Sequence, residues 1–384
     1  MSSAPRRTSL PKGLGILALA SGITFSVLWR AGFLVHSIGG WDYVNEPLIR
    51  QLMRSSCFRR LEKIDQSGPA FLYRFVPPFT RASHSLGVWQ ILKRQQCNLA
   101  EQAAGLLHDT SHTAFSHLAD YLFAESMQEA VTVGYQDTVH LRYLRRQNLN
   151  PLLAKYGLKL EDLDPDKGTY LTLEQPLPDI CADRLEYNLH TALITHKMTK
   201  EEVRKVLKNA KFKDGKWFFL DKDSAEALGK LSLDFTQNFW ASHTNISINK
   251  HFAVIVNRAL EKGLLTKDEL FTTDDIVLKR LEPLRSDPFL QPFWTYCPNL
   301  VINSNQNGPL SLPPKLPNIP YKTVHISPKF RGINPLVMTE AGLQRLTEIS
   351  DSFRKSYEDV QQWCQRGYDL DIIDEDAWRK QCEQ

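Results

Sequence analysis

The stretch AEQAAGLLHDTSHTAFSH, residues 100–117, runs an apolar helical pattern straight into His108, Asp109, His112 and His117. Imidazoles and carboxylates at the end of a core-facing helix are costly unless they are paired or bound to a metal. The fold must therefore bring partners to this point. Asn98 and Glu101, in capping-box spacing, mark where the helix starts.

Two other places supply suitable partners. His84 lies in RASHSLGVWQILKR, at the start of a helix whose apolar positions are Leu86, Val88, Ile91 and Leu92. Asp183 lies in PDICADRLEYNL, inside a helix that follows the Pro176 and Pro178 break. Two imidazoles with two carboxylates form a mixed nitrogen and oxygen donor set, suited to Fe, Mn or Zn and less to Cu(I). Taken singly, each residue could be a surface or capping group, but the string HDTSHTAFSH is hard to explain that way.

Composition narrows the classes. Seven of the eleven histidines fall between His84 and His196. With 47 Lys and Arg against 43 Asp and Glu, the net charge of +4 gives no reason to expect specific nucleic-acid binding. The six cysteines include no C-x-x-C pair, which argues against a zinc ribbon or a disulfide scaffold and for an intracellular, reducing setting. Asn245-Ile246-Ser247 is a glycosylation acceptor only in a secreted chain.

Five segments are expected. Residues 1–34 form a hydrophobic leader, with Arg30 the only charge between Gly13 and Phe33 and no acidic residue before Asp42. Its length suits a membrane anchor or an organelle-targeting signal, and Gly22, Ser26 and Arg30 suit a buried helix instead. Residues 35–200 form the core, opening on a strand-and-turn piece and a helix over 46–64. Further helices are expected over 113–130, 136–147 and 179–194. Residues 201–297 are an α+β extension in which KFKDGKWFFLD reads as a β-hairpin. Residues 298–320 form an Asn- and Pro-rich loop. Residues 321–384 hold a basic strand and a final helix from about Thr339 to Cys364.

RASHSLG, AGLLHDTSHTAFSHLADYLF and CADRLEY together resemble the HD-domain metal-dependent phosphohydrolase superfamily, most closely its branch of deoxynucleoside triphosphate triphosphohydrolases, over residues 35–285. The resemblance implies a mainly α fold, a helical HD-domain core with a small α+β accessory region on its C-terminal side. It also implies one divalent transition metal (Fe, Mn or Zn) held by His84, His108, Asp109 and Asp183, with Mg accompanying the substrate phosphates.

Further roles follow from matched positions. Arg81 and Arg184 correspond to phosphate-holding cations, and a guanidinium fork suits that task. Gln66, in IDQSG, matches a sugar-contacting glutamine, and Tyr187 a tyrosine lining the pocket. His112 and Asp120 match groups near the scissile bond that are candidates for proton transfer, and His117 matches a phosphate-facing histidine that completes the catalytic set. The implied partner is a phosphorylated small molecule, a nucleotide by preference, and the implied assembly a homodimer or tetramer.

Two positions depart from the triphosphohydrolase pattern. Gln136 stands where that branch has a proton-shuttling His, with His140 one turn further on, and Thr191 stands where it has an Asp that grips the sugar hydroxyl. These departures favour, as an alternative to an enzyme, a non-catalytic metal- and nucleotide-binding sensor; a third reading is a membrane-tethered scaffold whose HD core is structural. KFRG, Lys329 to Gly332, with Lys315 and Lys322 nearby, reads as a solvated basic strand in preference to a nucleotide contact.

Overall fold

The computed structural model describes residues 34–295 and 315–384. The apolar stretch 13–33 and most of the Asn- and Pro-rich loop lie outside the described residues. Among the described residues, no helix is long and apolar enough to cross a membrane.

The fold is mainly helical, with small sheets at its edges. The chain enters through the hairpin β1 (Leu34–Ser37) and β2 (Gly40–Tyr43), joined at a left-handed Gly40. The expected 46–64 helix is broken into Pro47–Met53, Ser56–Arg60 and a 3₁₀ turn Leu61–Lys63. Ser55 causes the break: its hydroxyl donates to the Leu52 carbonyl at 2.6 Å and caps the next helix through Phe58 N.

Three helices position the site. The His84 helix, Arg81–Arg94, is capped by Thr80, and the His108 helix, Leu99–Leu107, by Asn98. Glu101 does not close a capping box, because its carboxylate accepts from Thr172 N and Leu173 N instead. The Asp183 helix, Ala182–Ile194, starts three residues later than expected. Gly105 lets the first two helices pack closely, since a Cβ there would run into Leu92.

The His84 helix is buried on both sides. Val88, Ile91 and Leu92 join Leu185 and Leu189 in one apolar cluster, while Ala82 and Trp89 join Leu52, Leu106 and Leu144 in another. Burial on two faces fixes the helix at about 25 cal/mol per Å² of apolar surface. The histidine in its first turn is thereby held in place.

Two expectations are corrected. Residues 113–130 are not one helix. Phe115 and Ser116 adopt positive φ (59° and 56°), and helices form only over Leu118–Phe123 and Met127–Ala130. The cause is distant in sequence, because Asp274 Oδ1 accepts from Phe115 N at 2.7 Å. The final helix does not begin near Thr339: β6 (Leu336–Thr339) and β7 (Gly342–Arg345) form a hairpin, and a helix runs over Asp351–Arg366.

The 210–219 hairpin forms as the Asp-Gly pattern predicts, with β3 (Ala210–Lys213) against β4 (Lys216–Phe219). β4 then pairs with β6, so the order is β3-β4-β6-β7. The basic strand β5 (Tyr321–Ile326) pairs with β8 (Tyr368–Ile373), a strand the sequence reading lacks.

Candidate metal centre and adjoining cavity

His84 in the first turn of its helix, His108 at the end of the next, and Asp183 in the first turn of the third meet at one point. The Nε2 atoms of His84 and His108 are 3.2 Å apart. Asp183 Oδ1 lies 2.9 Å from His84 Nε2 and 3.5 Å from His108 Nε2. Asp109 reaches the same two atoms at 3.7 and 3.4 Å. Adjacent donors around an ion with bonds of about 2.1 Å sit about 3.0 Å apart, so these spacings suit shared coordination.

The outer contacts point the imidazoles inward. His108 Nδ1 faces the Gly105 carbonyl at 2.8 Å, and His84 Nδ1 meets Glu186 Oε2. With each Nδ1 committed outward, the two Nε2 atoms face each other beside two carboxylates, an arrangement that calls for positive charge between them, as protons or as a metal ion. Burial would depress the His84 pKa, but Glu186, Asp183 and Asp109 outweigh it and lift it to about 10. His108 is lifted against burial by Asp109 and Asp183. Burial would raise Asp109, yet Arg81 and the imidazoles hold it well below the usual carboxylate range. The residues therefore fit a divalent ion.

Glu186 was missing from the sequence reading. Its signal was its place one turn after Asp183, beside a glycine: a Cβ at Gly87 would overlap the Glu186 carboxylate. Glu174, Cys181 and Asp183 also converge within 4.8 Å. That cluster shares Asp183 with the main centre, and Glu174 is committed to Arg184 at 2.8 Å.

Both expected phosphate-holding arginines are otherwise engaged. Arg81 is 1% exposed, with Nη1 2.6 Å from Asp109 Oδ2 and Nε 2.6 Å from Ser116 Oγ. Its guanidinium fixes Asp109. Arg184 donates to the Gln175 and Asp179 carbonyls and pairs with Glu174, closing its own loop.

A cavity adjoins the centre, with an empty volume of about 970 Å³ that includes space open to solvent. Gln66, His117, Asp120 and Tyr187, all expected from sequence, line it, together with Phe79, Trp240 and Asn249. His117 Nδ1 is 2.9 Å from Asp120 Oδ2, while Asp120 Oδ1 accepts from Tyr135 N. His112 joins cavity to centre. Its ring lies edge-on to His117 at 4.9 Å, and its Nε2 is 3.3 Å from Asp109 Oδ1. Burial and the Arg81 charge push the His112 pKa well below the ordinary imidazole value, so it is neutral and suited to donate to Asp109.

The two departures take structural positions. Gln136 donates to the His108 carbonyl at 3.1 Å and accepts from Ser111 Oγ. His140, buried, faces Ser111 and the Leu163 carbonyl, so it does not replace the missing shuttle beside Asp120. Thr191 lines the cavity.

Residues 81–164 match the family model described as HD domain. The chain is 26% identical over 328 residues to the uncharacterized protein YdhJ of Bacillus subtilis, which covers 85% of this chain and 95% of that protein. It is 29% identical over 274 residues to the metal-dependent phosphohydrolase cns2 of Cordyceps militaris, covering 70% of this chain and 76% of that one. Among solved structures it is similar to a phosphohydrolase from Bacteroides thetaiotaomicron, with a TM-score of 0.64 at 16% identity over 88% of this chain and 99% of the other. That likeness bears on the fold alone, and it is the same mainly α architecture. Residues 81–164 thus carry an HD domain, set within the mainly α architecture shared with that solved structure.

Proposed function

We propose that the protein is a metal-dependent phosphohydrolase that cleaves a phosphoester or phosphoanhydride bond of a nucleotide or related compound. The observation that carries this reading is the meeting of His84 and His108 through Nε2 atoms 3.2 Å apart, flanked by Asp109 and Asp183. His84, His108, Asp109 and Asp183 would hold a divalent ion, which when bound would supply Lewis-acid polarisation of a phosphoryl oxygen and a water of lowered pKa.

The chain's own residues divide the remaining work. Arg81 and His112 orient Asp109, and Glu186 orients His84. Asp120 holds His117, whose other ring nitrogen has no hydrogen-bond partner among the described residues, which suits proton transfer at the cavity. Support for a nucleotide comes from the walls. Phe79, Tyr187 and Trp240 offer aromatic faces, and the buried Gln66 Oε1 and Asn249 Oδ1 have no hydrogen-bond partner among the described residues. Unsatisfied buried acceptors suit the hydroxyl or amino donors of a sugar or base.

The test is phosphate or triphosphate release from a panel of nucleotides with Mn, using wild type and the H108A/D109A double variant. Loss of both bound metal and turnover in the variant is expected, and retained turnover by the metal-free variant would refute the proposal. The second reading, a sensor that binds metal and nucleotide without turnover, is favoured by one observation: Gln136 is tied to His108 and Ser111 and His140 faces Ser111, so among the described residues His117 alone of the imidazoles bonds to Asp120. Metal and nucleotide binding by wild type with no released phosphate would select it.

A further inference from the structure

We propose that Lys329 and Arg331 form a clamp for the phosphate chain of the substrate, carried into the cavity by the C-terminal segment. This inference deepens the phosphohydrolase reading and rests on it. Lys329 and Arg331 line the same cavity as His117, Asp120 and Tyr187. Among the described residues, neither cation has a hydrogen-bond or ion-pair partner. Asp137 and Glu174 act on Lys329 only through space.

The backbone that carries them is pinned on both sides. Before them, Ile326 is buried at the end of β5, and Ser327 exchanges two hydrogen bonds of 2.9 Å with the Gln128 amide. Between them, Phe330 turns the other way, with its ring edge-on to Tyr357 at 5.1 Å. Gly332 makes room for that ring, since a Cβ there would overlap Phe330. After them, Ile333 is fully buried, its N–H donating to Ser232 Oγ at 2.9 Å, and Asn334 N donates to the Pro178 carbonyl at 3.0 Å.

Phe330 and Ile333 thus pack into the body while Lys329 and Arg331 line the cavity. Two unpaired like charges on a fixed scaffold repel each other, and burial together with the Arg331 charge lowers the Lys329 pKa. An anionic chain relieves that repulsion. Arg331 offers a fork for two phosphate oxygens and Lys329 a point charge. The need is real in this cavity, because Arg81 and Arg184 are spent on Asp109 and Glu174.

The test is calorimetric binding of inorganic tripolyphosphate and of adenosine to the Mn-loaded full-length chain. K329A/R331A is expected to weaken tripolyphosphate binding by about 10-fold or more, the scale of a lost charge-assisted contact. Adenosine affinity should stay unchanged and the thermal midpoint should not fall, and K329R/R331K should restore most of the affinity. Wild-type tripolyphosphate affinity in K329A/R331A, or no tripolyphosphate binding by wild type, would overturn the clamp. The two proposals fail separately. A lost affinity without phosphate release from any nucleotide sinks hydrolysis alone, whereas nucleotide turnover with unchanged affinity and KM sinks the clamp alone.

Discussion

Glu186 holds two imidazoles at once: its Oε2 meets His84 Nδ1 while its Oε1 lies 2.8 Å from His190 Nδ1. The carboxylate is fully buried, and it fixes which nitrogen His84 turns toward Asp183. Outer partners of this kind typically contribute 10- to 100-fold in metal affinity. E186Q should therefore weaken metal binding by about that factor, read by titration with Mn, without unfolding the chain.

Gly87 acts on the same contact from the neighbouring helix. The Cβ introduced by G87A would overlap the Glu186 carboxylate and push it off His84. Reduced metal affinity is expected, with a stability loss of about 1–3 kcal/mol from the added volume. Thermal denaturation with and without metal checks both effects.

The proton-transfer assignment is open to a direct check. D120N removes the carboxylate that holds His117 and should lower kcat by about 10²- to 10⁴-fold while leaving metal content unchanged. Metal analysis beside steady-state kinetics separates this outcome from damage to the centre.

What the sequence disclosed was chiefly local. The Asn98 cap, the Asp-Gly hairpin and the HD string each rest on neighbours within a few residues, and each is found where the pattern places it. The Phe115–Ser116 kink was illegible because the group that holds it, Asp274, lies 159 residues away. Glu186 was not singled out because its partners, Gly87 and His84, come from another helix about a hundred residues earlier. Lys329 and Arg331 resembled a solvated strand because a sequence does not show that Phe330 and Ile333 anchor the segment. Arg81 and Arg184 were matched by position, and only packing revealed their partners.

Asp65 and Asp274 give a pH signature. Both are buried, and burial pushes each carboxyl up to about 7. The folded state then binds protons that the unfolded chain has already released, so stability falls as pH rises from about 4 to about 7 and levels off above. The slope per carboxyl is at most about 1.4 kcal/mol per pH unit. Asp274 also accepts from Asp65 N and Phe115 N, and D274N can keep only one of these bonds. A loss of about 1–3 kcal/mol and a flatter pH profile are expected from urea denaturation at pH 5 and 7.5.

Asp183 is the proposed ligand that comes from furthest along the chain, so the shared centre stands or falls with it. Metal content and phosphate release should be measured on single preparations of wild type and D183A. About one ion per wild-type chain is expected, with both metal and turnover lost in D183A. A D183A protein that keeps its ion and its activity would contradict the shared centre.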